Sequence, residues 1–123
     1  MTEQYGILSD ITVLDLSEGV SGPLCAKLLA GMGAEVIKIE RPRVGDESRN
    51  AGPFPNDDPN PEASAAYLYL NMGKKGITLD IEADTGSSIL RRLAQDVDIL
   101  VENHPPGVME SRAVGYSDLE PIN

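Results

Sequence analysis

Apolar and polar positions recur along the chain with two different periods, and these predict strands alternating with helices. Short apolar runs rich in β-branched residues predict four strands, over residues 11–16, 34–40, 76–81 and 97–102. Apolar positions at helical spacing predict helices near residues 24–32 and 85–95. Strands separated by helices in this way pair in parallel. We therefore expect an α/β protein built on half of a doubly wound parallel sheet.

Local signals place the ends of these elements. Ser21 or Gly22 suits the N-cap of the first helix, and Pro23 fits its first turn. Gly33 is expected to end that helix, because glycine readily adopts the left-handed conformation found there. Asp84 or Thr85 is expected to cap the second helix.

The segment between the second and third strands is irregular. Four of the nine prolines lie between Pro53 and Pro61, and a connection of about 20 residues is longer than usual. Residues 62–71 and 108–114 are expected to form short helices or turns, and Ser117 suits the N-cap of another helix. Because few residues follow Ser117, we expect the chain to be the N-terminal piece of a longer protein.

Composition narrows the class of protein. The chain has 123 residues, 41% apolar and 24% charged, which fits one globular domain over residues 1–123. Its formal net charge of −10 argues against nucleic acid or an anionic membrane as a partner. Without a secretion signal or an apolar run of roughly 18 residues, a soluble cytoplasmic protein is expected. One cysteine and one histidine exclude an internal disulfide and argue against a metal site.

Ligands of doubly wound sheets bind beyond the carboxyl ends of the strands. Residues 17–22, 40–43 and 102–104 follow three of the predicted strands and should meet there. The first segment leads into a helix N-terminus, which favours an anion. It lacks the GxGxxG pattern of dinucleotide sites, so an anion site and an ordinary turn both stay open. Glu18 is the acid most clearly expected to face this cleft.

The distribution of charge also indicates an anion. Six of the ten basic residues lie between Lys38 and Lys75, in an otherwise acidic chain. These bases are expected either to bind a phosphate-bearing ligand, with arginine supplying planar donors, or to be solvated loop charges.

Four other residues carry chemistry that the pattern does not assign to a site. Cys25 lies among leucines and is expected to be buried rather than nucleophilic. His104 precedes two prolines and is expected in an exposed turn, where it could contact a ligand. Asp15 and Asp80 fall within predicted strands and are expected to be structural.

The longer motifs resemble those of the family III coenzyme A (CoA) transferases, which include formyl-CoA transferase, carnitine CoA-transferase and the isomerase relative α-methylacyl-CoA racemase. The matching segments are VLDLSEGVSGPLCAKLLAGMGAEVIKIERP, GDESR, KKGITLD and DILVENHPPGVME…GYSDL. They occur in the family's order from residue 11 to residue 119. Their combination is specific, although no single segment is.

This resemblance implies a Rossmann-like fold, of which the chain would be the N-terminal half of the family's large domain. It implies a CoA-transferase that moves CoA between carboxylic acids through an aspartyl-CoA thioester. Acyl-CoA and carboxylic acids would be the substrates, no cofactor would be permanently bound, and two subunits would interlace in a homodimer. The family's aspartate nucleophile falls beyond Asn123, so no catalytic residue is assigned, and the 123-residue chain alone is expected to be inactive.

The resemblance also implies CoA contacts by motif position. They are Glu18, Gly19, Val20, Ser21, Arg41, Lys74, Lys75, Leu79, Asn103 and His104. The chain departs from the family at Glu18, where some members have histidine, and at Glu82, where some have a CoA-binding lysine. Ser111 stands where arginine is common, and Arg112 follows it. Two other functions stay open, namely part of an acyl-CoA racemase and a non-catalytic nucleotide-binding module.

Overall fold

Four parallel strands form the centre of the fold. The computed structural model describes residues 5–123. The strands are β1 (Thr12–Asp15), β2 (Glu35–Glu40), β3 (Lys75–Thr78) and β4 (Ile99–Val101), and they lie in the order β3-β2-β1-β4. Each neighbouring pair is parallel, and Val13 of β1 lies opposite both Val36 and Ile99. The predicted α/β fold with a parallel sheet is confirmed.

Helices connect and flank these strands. Among residues 5–123 the α-helices are α1 (Ser21–Gly31), α2 (Ala65–Leu70), α3 (Asp84–Ala94), α4 (Val108–Ser111) and α5 (Tyr116–Leu119). Short 3-10 turns occupy Glu47–Asn50, Pro55–Asp57 and Glu120–Ile122. The predicted helices near 24–32 and 85–95 correspond to α1 and α3. No helix in the described part of the chain is long and apolar enough to span a membrane.

The predicted helix caps are wrong at the N-termini and right at Gly33. Helix α1 follows Val20 and helix α3 follows Ala83, and neither start has a side-chain cap. Ser117 lies inside α5, where the Asp118 carboxylate instead accepts a hydrogen bond from the Gly115 N–H at 3.0 Å. Gly33 has a φ of +106°, as predicted for the residue that ends α1.

The third and fourth strands are shorter than predicted. β3 ends at Thr78, although the Leu79 N–H still donates to the Glu40 carbonyl at 3.0 Å. Asp80, expected within the strand, instead forms a turn in which its carboxylate accepts from the Glu82 N–H at 3.0 Å. The chain therefore leaves the sheet before it reaches Asp80, which was predicted to lie within the third strand.

The two faces of the sheet have separate cores. One core contains Leu14, Leu16, Ile39, Leu90, Met109 and Val114. The other contains Val13, Ala26, Ala34 and Val36. Because side chains alternate along a strand, Asp15 lies on the same face as Val13, and Lys38 and Glu40 lie on the same face as Val36. Both faces are covered, so these three charged residues are buried within the protein.

Candidate functional site

The loop after β1 is fastened to the loop after β4. The Asn103 amide oxygen accepts from the Glu18 N–H at 3.0 Å, and the Asn103 amide nitrogen donates to the Glu18 carbonyl at 2.7 Å. Both backbone polar groups of Glu18 are therefore bound by one side chain. This pair of bonds fixes the backbone of Glu18 at the carboxyl edge of the sheet.

The same loop is fastened to the segment after β2. The Gly19 N–H donates to the Asp46 carboxylate at 3.1 Å, and Gly19 has a φ of +79°. Asp46 also accepts from the N–H of Ser48 at 2.8 Å and from its hydroxyl at 2.7 Å. A side chain at Gly19 would be strained by the backbone and would meet the Glu47 carboxylate. Asp46 therefore holds two loops together at the sheet edge.

Asp46 belongs to a set of buried charges that we call the buried ion network. Its members are Asp15, Lys38, Glu40, Asp46, Arg49 and Lys74. The Lys38 ammonium donates to Asp46 at 2.5 Å and to the Ser17 carbonyl at 2.7 Å. The Lys74 ammonium donates to Asp15 at 2.7 Å. With three acids and three bases, the network is neutral, which is what buried charges require.

Among the acids of this network, Glu40 accepts four hydrogen bonds, as many as Asp46 does. It accepts from two nitrogens of Arg49 at 2.7 and 2.8 Å, from the Tyr67 hydroxyl at 2.5 Å and from the Asp46 N–H at 2.8 Å. Burial opposes ionisation of Glu40, but these hydrogen bonds outweigh it and lower its pKa to about 2. Burial and the hydrogen bond to Glu40 raise the pKa of Tyr67. Glu40 is therefore a fixed carboxylate near neutral pH.

Burial and hydrogen bonds also shift the pKa values of Asp46 and Lys74. Burial acts to raise the pKa of Asp46, yet hydrogen bonds from Lys38, Ser48 and the Gly19 N–H lower it overall. Burial lowers the pKa of Lys74, although the Asp15 carboxylate opposes that shift. These charges bond to one another and to the backbone, so the network stabilises the strand ends rather than presenting charge to a ligand.

A groove of about 490 Å³, which we call the strand-end groove, opens beside these loops. Its lining residues are Glu18, Arg41, Pro42, Arg43, Val44, Asp80, Ile81, Glu82, His104, Val108 and Arg112. The lining combines three arginines and three carboxylates with apolar proline, valine and isoleucine residues. The groove therefore combines donors for an anion with surface for an apolar group.

Two ion pairs line the strand-end groove. Arg41 donates to one Glu18 oxygen through Nε at 3.1 Å and through Nη2 at 2.8 Å. Arg112 donates to Glu82 through Nη2 at 2.8 Å. Arg43 also lines the groove and has a φ of +67°.

His104 lines the strand-end groove. Its backbone N–H donates to the Glu102 carboxylate at 2.7 Å, whereas the ring Nδ1 lies 3.4 Å from that carboxylate and makes no hydrogen bond to it. The side chain is 20% exposed. His104 is thus less exposed than its place in a proline turn predicted.

A second groove, of about 540 Å³, runs along β4. Its charged lining residues are Asp98, Glu102, Glu110 and Glu120, and no basic residue of the described part of the chain lines it. An anionic ligand would be repelled there, so the strand-end groove is the better candidate for a phosphate-bearing ligand. Among residues 5–123 no group of three or more histidine, cysteine, aspartate or glutamate side chains is arranged to hold a metal ion.

Comparison with known sequences identifies the family. Residues 8–123 match CoA-transferase family III. The chain belongs to this family. It is 39% identical over 115 residues to succinyl-CoA:(R)-benzylsuccinate CoA-transferase subunit BbsE of Thauera aromatica, a match that covers 94% of this chain and 28% of that protein. It is 40% identical over 116 residues to formyl-CoA:oxalate CoA-transferase of Bradyrhizobium diazoefficiens, covering 94% and 26%.

Solved structures agree with this assignment. A CAIB/BAIF family protein from Brucella suis superposes with a TM-score of 0.86 at 31% identity, over 98% of this chain and 32% of that one. The chain thus spans between a quarter and a third of the length of the relatives it matches. The family and the fold are shown for the matched residues.

Most of the residues that the family motifs single out lie together. The strand-end groove is lined by Glu18, Arg41 and His104. Leu79 lines a small cavity that these three residues also line, and Asn103 fastens Glu18. Gly19 adjoins Glu18, Val20 is the N-cap of α1 and Ser21 is its first residue. These residues therefore lie just beyond the carboxyl ends of the four strands.

Two of the motif residues lie elsewhere. The Lys74 side chain is 1% exposed and bonded to Asp15, the Pro23 carbonyl and Asn71. Lys75 is the first residue of β3, at the opposite end of that strand from Leu79, and it pairs with Glu35 at 3.2 Å. The structure brings neither lysine to the strand-end groove.

The predicted basic cluster is largely neutralised. Neither alternative, a ligand surface or solvated loop charge, describes Lys38, Arg49 and Lys74, because all three are paired inside the protein. The prediction for Cys25 is also wrong, since it is exposed on α1. The buried residues of that helix are the smaller Gly22, Pro23 and Ala26, which allow it to lie close against the sheet.

The sequence interpretation assigned no role to Asp46. A signal for it exists in the motif GDESR, because an aspartate two residues before a serine is suited to accept the N–H that opens a turn. The structure bears this out, with Asp46 as the N-cap of the turn Glu47–Asn50. Its bond to Gly19, 27 residues away, has no local signal.

Proposed function

We propose that the strand-end groove binds the CoA portion of an acyl-CoA, and that this chain is the CoA-binding part of an enzyme that transfers CoA between carboxylic acids. The supporting observation is Arg41, whose guanidinium lines a groove beyond the strand ends together with Glu18 and His104. Family membership supports the reaction class, because the relatives named above are CoA-transferases.

The chemistry of CoA suits this groove. CoA carries phosphate groups and an adenine ring, and arginine binds phosphate through two parallel N–H donors. Pro42, Val44, Ile81 and Val108 supply apolar surface in the same groove for a ring or a pantetheine chain. Because the four acids of the second groove oppose phosphate, CoA is proposed to occupy the strand-end groove.

The proposed transfer uses covalent catalysis by an aspartate, as the family resemblance implies. The carboxylate attacks the donor thioester, which forms a mixed anhydride and releases CoA as a thiolate. The thiolate then attacks the aspartyl carbonyl, which gives the aspartyl-CoA thioester and frees the donor carboxylate. The acceptor carboxylate reverses these two steps, which regenerates the aspartate and leaves CoA on the acceptor. We assign that aspartate to no residue of this chain, and we propose that these 123 residues bind CoA without transferring it.

The test is CoA binding to the 123-residue chain, measured by isothermal titration calorimetry. A charge-assisted contact contributes about 1.5–3 kcal/mol. Arg41→Ala should therefore weaken CoA binding about tenfold or more. The matched control is Arg92→Ala, which removes the same charge from an exposed position on α3 outside the groove. Equal affinity of the Arg41→Ala variant and the unmodified chain would contradict the proposed site.

A further inference from the structure

One edge of the Arg41 guanidinium already binds a carboxylate of the chain itself. Nε and Nη2 of Arg41, the pair of donors that bind one anion side by side, both point to the same oxygen of Glu18. The remaining contact of Nη2 is the Gly45 carbonyl at 3.3 Å. A phosphate that takes this edge of the guanidinium must therefore displace the Glu18 carboxylate.

We infer that Glu18 competes with the ligand's phosphate for Arg41 and so limits the affinity of the strand-end groove for anions. This inference rests on the proposed function, because it concerns the same groove and the same arginine. A residue that contacts the ligand favourably strengthens binding. Glu18 has the opposite effect in this inference, so removing its charge should strengthen binding.

The surroundings of Glu18 allow the exchange. Its backbone is held by Asn103 through two hydrogen bonds, so the loop keeps its place when the carboxylate leaves Arg41. The side chains of Arg41 and Glu18 are 48% and 26% exposed, so a released carboxylate can reach water. An exposed pair of this kind is weak, and its loss costs little. Glu18 also adds negative charge to the groove, which opposes a phosphate directly.

The test compares the Glu18→Gln variant with the unmodified chain. Calorimetry would measure the affinity for CoA and, separately, for inorganic pyrophosphate as a minimal anion. We expect Glu18→Gln to bind both about two- to fivefold more tightly, the range that corresponds to an exposed ion pair. Combined with Arg41→Ala, the same substitution should have a clearly smaller effect, because only the direct repulsion between Glu18 and the phosphate would then be removed.

Glu47→Gln is the matched control. Glu47 is an exposed acid beside Gly19 that does not line the groove, and among residues 5–123 it pairs with no cation. The Glu47→Gln substitution removes the same charge as Glu18→Gln does, from a position in the same loop region. If Glu47→Gln strengthens binding as much as Glu18→Gln does, long-range charge explains the gain and the inference is wrong.

The remaining outcomes separate the inference from the proposed function. Unchanged or weaker CoA binding by Glu18→Gln would overturn the inference and leave the CoA site intact. Pyrophosphate binding by Glu18→Gln that depends on Arg41, without CoA binding, would support the inference and overturn the proposed function. Failure of Glu18→Gln to bind either ligand would overturn both.

Discussion

The buried ion network and the ion pairs of the strand-end groove contain the same kinds of residue, but they differ in exposure. Lys38 and Asp46 of the network are 1% and 0% exposed, whereas Glu82 in the groove is 65% exposed. A buried charge that loses its partner cannot turn to water, so the network must stay assembled. An exposed charge can exchange its partner at small cost. The network therefore stabilises the fold, and the groove pairs remain available to a ligand.

Strand β2 serves both regions. Its residues Lys38 and Glu40 point into the network, and Arg41, the next residue, reaches the groove. Asp46 then links the two regions by binding both Lys38 and the Gly19 N–H. The buried ion network thus supports one wall of the strand-end groove without lining the groove itself.

The largest expected effect comes from removing a network cation. Lys38→Met keeps the length of the side chain but leaves Asp46 buried without its ammonium partner. Breaking a buried pair in this way costs about 3–5 kcal/mol. Urea unfolding of the 123-residue chain, followed by circular dichroism, would measure the loss of unfolding free energy.

Lys75→Met is the control for that substitution. Lys75 also pairs with a carboxylate, that of Glu35 at 3.2 Å, but its side chain is 71% exposed. We expect a change of no more than about 1 kcal/mol. Equal losses for the two variants would remove the distinction between buried and exposed charges in this protein.

The second effect is a loss of stability in acid through Glu40. Its pKa falls from 4.5 to about 2 on folding, so the folded state holds the charged form more strongly than the unfolded state does. The resulting stabilisation, about 3 kcal/mol, is fully present above pH 4.5 and is lost as the pH falls towards 2. Glu40→Gln should therefore show a smaller loss of unfolding free energy over that interval.

Glu62→Gln gives the comparison for the acid experiment. Glu62 lies 3.7 Å from Arg49 but is 82% exposed. Its substitution should leave the pH dependence nearly unchanged. A pH profile that is the same for Glu40→Gln and the unmodified chain would show that Glu40 does not hold the charge that its contacts imply.

The hydrophobic pattern predicted the sheet because β1 lies in a short apolar run rich in β-branched residues and β2 alternates apolar with charged residues. It misplaced the end of β3 for a physical reason. Leu79 and Ile81 pack against the core after the chain has left the sheet, so their pattern reports burial rather than strand pairing. The prediction that Cys25 is buried on helix α1 was wrong for a different reason. Apolar residues occur all around this helix, and even Leu28 is 59% exposed. Spacing alone could not tell which side of that helix meets the sheet.

The loops at the strand ends could be predicted from topology, but the charges beneath them could not. In β2 the alternation of isoleucine with Lys38 and Glu40 is typical of a strand with one solvent-exposed face. Both faces of this sheet are covered, so the charged positions are buried instead. The partner of Lys38 is Asp46 and that of Glu40 is Arg49, and both partners come from the irregular segment after β2, outside any regular spacing. Only the folded structure brings these partners together.

The smallest expected effect concerns the second pair of the groove. Glu82→Gln removes the charge that binds Arg112, whose side chain is 28% exposed. Because Glu82 itself is largely in water, its charge gains little from the pair, and the unfolding free energy should change by less than about 0.5 kcal/mol. Urea unfolding beside the Lys38→Met variant would measure both under one set of conditions. A loss above about 1.5 kcal/mol for Glu82→Gln would mean that this pair supports the fold as the buried network does. The wall that carries Arg112 would then be rigid, and Arg112 could not exchange Glu82 for a ligand at the small cost argued for an exposed pair.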